Sequence, residues 1–192
     1  MAETVLISAP AEEPITLAEA RLHVRADDTT DDTLISALIV AARERAEHET
    51  GRRLITQTRE MVLDAFPSSS EAIQLHAECV TAQSISSIEY LNDAGSWITF
   101  GSTNYALDAR SLPGYVFLAS GSSWPTPADS ANAVRIRVVC GYGTAASVPQ
   151  TIKQWLLLQI GANYANRESL GDAKELSGRF VDGLLDPHRV YV

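Results

Sequence analysis

Cysteine is almost missing from this chain: Cys79 and Cys140 are the only two in 192 residues. Neither a C-x-x-C spacing nor a histidine pair accompanies them, so no disulfide framework and no zinc ligand set is predicted. Both read as buried free thiols, which suits a reducing compartment. Long apolar runs are missing too. The longest, Leu34 to Ala42, falls far short of the roughly 20 residues a membrane-spanning helix needs. Clustered cations are the third absence, because the 15 Lys and Arg are scattered among 24 Asp and Glu for a net charge of −9. Gripping a phosphate backbone requires grouped cations that release counterions, so sequence-independent nucleic-acid binding is not expected. An acidic surface can still lie beside DNA without holding it. No basic segment opens the chain, since Glu3, Glu12 and Glu13 precede Arg21. The expectation is a soluble protein, free of membrane, made in the cytoplasm.

Catalytic patterns are absent in an equally specific way. His48-Glu49-Thr50-Gly51-Arg52 begins like a zinc-protease helix but places Arg52 where the second imidazole belongs. One imidazole without its partner does not hold catalytic zinc. Gly121-Ser122-Ser123-Trp124-Pro125 lacks the order and the closing glycine of a nucleophile elbow. Neither phosphate-binding glycine motif occurs, and Gly141-Tyr142-Gly143 reads as a strand end running into a turn. The acidic run Asp27 to Asp32 lacks the central glycine and terminal glutamate of a calcium loop. It reads as a turn leading into a helix whose positive end favours carboxylates. No catalytic residue, cofactor or metal is predicted, and the chain is not expected to be an enzyme.

What is present is patterned. With 45% hydrophobic and 20% charged residues, the composition is that of an ordinary folded domain. Thr16-Leu17-Ala18-Glu19 forms a capping box at the start of a first helix, Leu17 to Arg25. Ile35, Leu38, Ile39, Ala42 and Ala46 mark a second helix, with Arg43, Glu44, Arg45, Glu47 and Glu49 on its other face and Gly51 ending it. From Ile55 the apolar period becomes two. Strands are predicted near Met61–Ala65, Ala72–Leu75, Ser84–Leu91, Trp97–Phe100, Tyr105–Leu107, Tyr115–Leu118 and Val134–Tyr142, parted by turn residues.

Pro149 is placed at the first position of a third long helix that runs to about Arg167. That helix is apolar nearly all round. Ile152, Trp155, Leu156, Ile160 and Tyr164 form one stripe, and Leu157, Leu158, Gly161, Ala162 and Ala165 form another. It is therefore a core helix or one covered in part by another subunit, and Leu157, Leu158, Gly161 and Ala162 are the subunit-interface candidates. A polar connection, Glu168 to Ser177, precedes a short amphipathic segment with Phe180, Val181, Leu184 and Leu185 on one side, and Pro187 closes it. The tail His188-Arg189-Val190-Tyr191-Val192 is read either as a docking peptide or as a segment folded onto its own core.

The fold class expected is α+β. Residues 1–54 and 148–192 supply a helical core of two N-terminal helices and one long later helix, and 55–147 form an inserted antiparallel β-rich portion.

In its order of elements the chain resembles the head-tail connector (adaptor, or head-completion) proteins of tailed bacteriophages and gene transfer agents. The residues that carry the resemblance begin with Ile15-Thr16-Leu17-Ala18-Glu19-Ala20 and Val24-Arg25. Next come the acidic turn into Leu34-Ile35-Ser36-Ala37-Leu38-Ile39, then Ala41-Ala42-Arg43 through Glu49-Thr50-Gly51-Arg52, and Leu54-Ile55-Thr56-Gln57-Thr58. Val80, Ile85, Ile88 and Tyr90 follow, then Val134-Arg135-Ile136-Arg137 leading to Gly141-Tyr142-Gly143. Val148-Pro149, Ile152-Lys153-Gln154 and Tyr164-Asn166-Arg167-Glu168 complete the series.

The resemblance implies a structural subunit of the virion neck, assembled as a homo-oligomeric ring, usually of twelve copies. Such a ring lies between the portal protein and the stopper or tail-completion protein, and DNA passes through its channel without specific binding. It further implies that the C-terminal segment contacts the portal, which puts Phe180, Leu184, Leu185, His188, Arg189, Val190, Tyr191 and Val192 forward as the partner-binding residues. Two other readings stand beside it: another neck or tail-completion protein, and a small-molecule-binding or hydrolytic domain.

Overall fold

The computed structural model describes residues 4–68, 71–166, 181 and 183–190. The fold is α+β, and the chain divides into two compact units.

Of the described residues, the helical unit takes 11–55, 142–166, 181 and 183–190. Helix α1 (Leu17–Val24) opens with the capping box read from sequence: Thr16 Oγ1 accepts the Glu19 amide at 3.2 Å, and Glu19 Oε2 accepts the Thr16 amide at 2.7 Å. These bonds stabilise the charged carboxylate, so the Glu19 pKa lies below its usual value. Helix α2 (Asp32–Thr50) ends at Gly51, whose φ of 68° is a backbone conformation that glycine adopts without penalty. Helix α3 (Gln150–Ala165) has Pro149 as the residue just before its first turn rather than as its first helical position. Ile35, Ile39, Ala42 and Ala46 of α2 face Ile152, Trp155, Leu156 and Ile160 in one core. Tyr164 ties the end of α3 to the start of α2 by donating its hydroxyl proton to Asp31 at 2.5 Å.

Two charged residues depart from the surface face the sequence suggested for them. Arg43 is 8% and Glu47 3% exposed. Glu47 accepts the Leu54 amide at 2.9 Å and meets Arg43 at 3.4 Å and Arg53 at 3.3 Å, while Arg43 also reaches Glu13 at 2.8 Å. Their burial depends on partners distant in sequence, which helical periodicity does not reveal.

The β unit takes residues 4–10 and 56–141. Its larger sheet has the order β1-β2-β8-β4-β5, from Val5–Ser8, Gln57–Leu63, Val134–Cys140, Ala82–Leu91 and Trp97–Phe100. A smaller sheet has the order β3-β7-β6, from Ile73–Gln74, Tyr115–Leu118 and Tyr105–Asp108. All pairings are antiparallel. Central strand β8 shows the predicted alternation: Val134, Ile136, Val138 and Cys140 are wholly buried, and they pack with Ile88, Met61, Ile73 and Val116. Phe66 stacks on Trp124 with ring centroids 5.0 Å apart, closing one side of this core. Cys79 and Cys140 are buried free thiols.

The division falls at 55, next to the expected 54, but two segments change sides relative to the expected bounds. Residues 4–10 join the sheet, because β1 pairs with β2, with Val5 opposite Glu60 and Leu6 opposite Arg59. Arg59 fastens this strand: its Nε reaches Thr4 Oγ1 at 2.6 Å, and its Nη2 meets Glu78 at 3.1 Å. Residues 142–147 leave the β portion for the helical unit, where the Tyr142 amide bonds Leu54 O at 3.3 Å and the Ala145 amide bonds Glu12 at 2.9 Å.

Candidate interaction surfaces

On α3 the two apolar stripes separate by burial. Ile152, Trp155, Leu156 and Ile160 are wholly enclosed, whereas Leu157 and Leu158 are half-buried against the edge of the same core. Gly161 is half-buried and Ala162 is exposed. Gly161 has a neighbour within the chain: a Cβ at that position would stand 3.1 Å from His23 Nε2, so its lack of a side chain admits the imidazole of α1. Beside His23, Leu22 is 82% exposed and is the most exposed large apolar residue among those described. Leu22 stands between the polar Arg21 and His23, and no apolar period in α1 singled it out from sequence.

The C-terminal residues divide more sharply. Phe180, Tyr191, Val192 and the polar connection Glu168 to Ser177 lie outside the described residues. Leu185, read as a docking anchor, is 0% exposed and belongs to the helical core together with Val181. An amphipathic segment suits its own core as well as a partner's groove, which is why the pattern alone did not decide between them. Leu184, His188, Arg189 and Val190 are half-buried.

Polar contacts hold this segment to the end of α2. Arg52 Nε donates to His188 O at 2.7 Å, and the Val190 amide donates to Thr50 O at 3.1 Å. Arg189 lies 3.3 Å from Glu49, and His188 Nε2 lies 2.8 Å from Thr151 Oγ1. Burial disfavours the imidazolium of His188, and the nearby Arg52 charge disfavours it further, so its pKa falls below 6.5.

The β unit adds surfaces that sequence reasoning missed. Both edge strands of the larger sheet carry exposed apolar side chains: Val5, Leu6 and Ile7 on β1, Trp97 and Ile98 on β5. On β1 a signal was available, because three consecutive apolar residues leave no polar face to turn toward water. One face of this sheet carries a ladder of alternating charge. Arg137 Nε meets Glu60 at 2.8 Å, Arg135 Nε meets Glu89 at 2.5 Å, and the Arg135 guanidinium lies 4.0 Å from the Trp97 ring centre. These arginines are engaged by carboxylates and a ring, which leaves little cationic surface for phosphate.

Among the described residues, no three His, Cys, Asp or Glu side chains gather as a metal-binding group. Among the same residues, no helix is long and apolar enough to cross a membrane.

No curated protein matches the chain. Solved structures do match it along nearly its whole length. A chain in the neck of an empty gene-transfer-agent particle, computed with C6 symmetry, shares 20% identity at a TM-score of 0.78, covering 99% of this chain and 97% of that one. A chain of the native gene-transfer-agent virion is also 20% identical, with a TM-score of 0.75 and coverages of 98% and 96%. A chain in the neck of the native particle, computed with C12 symmetry, matches at 20% identity and a TM-score of 0.73, with coverages of 99% and 97%. At this identity the likeness establishes a shared fold. The sequence match is separate: residues 14–104 fit the model of the phage gp6-like head-tail connector family. These residues make up just under half of the chain.

Proposed function

We propose that the chain is a structural subunit of a virion neck, assembled with copies of itself into a ring between portal and stopper through which DNA passes. The observation that carries this reading is the agreement of fold, over 99% of the chain, with a subunit in the neck of a gene-transfer-agent particle. The connector-family match over residues 14–104 supports it from sequence, and that family is one of structural connectors and not of enzymes. The C6 and C12 symmetries of the matched necks favour a cyclic arrangement, in which each subunit uses two different patches. A net charge of −9 suits a channel that carries DNA without retaining it.

The half-buried Leu157 and Leu158 and the exposed Ala162 form the subunit-contact face in this reading. The folded C-terminal segment meets the portal through its outer side, near Asp186, Pro187 and His188, while Leu185 stays in its own core. Sedimentation velocity checks the subunit contact. Wild-type protein is expected to sediment as a closed oligomer, and Leu157→Asp as a folded monomer. Because Leu157 is only half-buried, its substitution is expected to cost the subunit no more than about 3 kcal/mol. A ring that persists in Leu157→Asp would place the contact elsewhere. Wild-type protein that stays monomeric with and without portal would contradict the assembly role.

A further inference from the structure

The C-terminal segment meets α2 at a chemically specific place. A helix end leaves carbonyls without partners, and here Thr50 O receives the Val190 amide at 3.1 Å from 140 residues along the chain. Gly51 turns the chain here with a φ of 68°, and Val190 packs beside it at ordinary contact distance. Arg52 then closes over the segment by donating to His188 O. We infer that residues 186–190 form a latch on the C-terminal end of α2, fastened while His188 is neutral and released when His188 gains a proton.

The groups facing His188 set the direction of this response. Arg52, after α2, presents a positive charge to the imidazole, and Tyr142 adjoins that same guanidinium. Thr151 of α3 offers a hydroxyl that serves either imidazole tautomer or the imidazolium, so this bond is not the sensor. On the latch itself, Arg189 is engaged by Asp186 at 3.4 Å and by Glu49 of α2 at 3.3 Å. Protonation would therefore set a second positive charge beside Arg52 in a partly dehydrated site. Burial and Arg52 hold the fastened-state pKa below the free value of 6.5. The fastened state thus binds fewer protons than the open one. Its advantage is complete above pH 6.5 and declines as pH falls from there toward the fastened-state pKa. Among ordinary side chains only imidazole has its midpoint in this range. The latch is a property of the free subunit and holds whichever neighbour the segment meets.

Amide hydrogen exchange on the full chain tests it, read as protection factors corrected for the intrinsic pH dependence. Protection of the Val190 amide is expected to fall by up to about tenfold between about pH 7.5 and about pH 5.5. The Ile39 amide, inside α2, should hold its protection. His188→Gln keeps a hydrogen-bonding group of similar size without the charge, and its Val190 protection should be flat over the same range. The inference is overturned by unchanged protection in wild type, by an equal fall in His188→Gln, or by parallel loss at Ile39.

Discussion

Replacing Glu47 by alanine is expected to lower the unfolding free energy of the helical unit by about 3–5 kcal/mol, because it breaks a buried ionic network by removing its shared anion. The Glu47 carboxylate is 3% exposed and accepts from the Arg43 and Arg53 guanidiniums and the Leu54 amide. Arg43 keeps Glu13 at 2.8 Å, so the loss falls most heavily on the buried Leu54 amide. An enclosed amide deprived of its acceptor costs about 1–3 kcal/mol by itself. For a chain of this size the total corresponds to a fall in Tm of roughly 10 °C. Glu47→Gln separates the contributions, because it can still accept from Leu54 while lacking the charge, and it should lose less. Calorimetric unfolding of the two variants provides the check. A loss under about 1 kcal/mol for Glu47→Ala would mean that water replaces the carboxylate and that the network behaves as a surface one.

Leu185→Ala comes second, at about 2–5 kcal/mol, the cost of deleting a fully enclosed leucine and leaving a cavity. Leu185 is 0% exposed in the core built by α1, α2 and α3. A tail that served only as a free docking peptide would give no change in the subunit's stability. A tail folded as described gives a lower denaturant midpoint with a nearly unchanged slope. Chemical denaturation with tryptophan fluorescence suits the measurement, because Trp155 lies in the same core. An unaltered midpoint would return Leu185 to the role of an exposed anchor.

These two positions also show what the sequence could and could not disclose. Elements whose order is local were legible. The apolar stripe Ile35, Ile39, Ala42, Ala46 gave α2, and the alternation Val134, Ile136, Val138, Cys140 gave the central strand of the larger sheet. Thr16 with Glu19 and the lone Gly51 marked helix ends through chemistry confined to a single turn.

Matters decided by distant partners were not legible. Arg43 and Glu47 looked like a solvated helix face until Glu13, Arg53 and the Leu54 amide were brought to them. Val5–Ser8 is a run too short to announce its partner, and only the pairing with Gln57–Leu63 assigns it to the sheet. Of the interface candidates, Leu157 and Leu158 keep an uncovered side, while Gly161 turns out to accommodate His23. In the tail, the apolar residues Val181 and Leu185 were visible, but composition could not tell the core that takes them from the groove of a partner.

The central claim, that this chain builds a ring in a virion neck, is tested most directly by electron cryomicroscopy of the purified protein mixed with its portal. The account predicts class averages of a closed ring of identical subunits, coaxial with the portal and open along its axis. Density for the 181–190 segment should lie on the portal-facing side. Subunits that remain single beside intact portals, or that bind them without closing a ring, would contradict it.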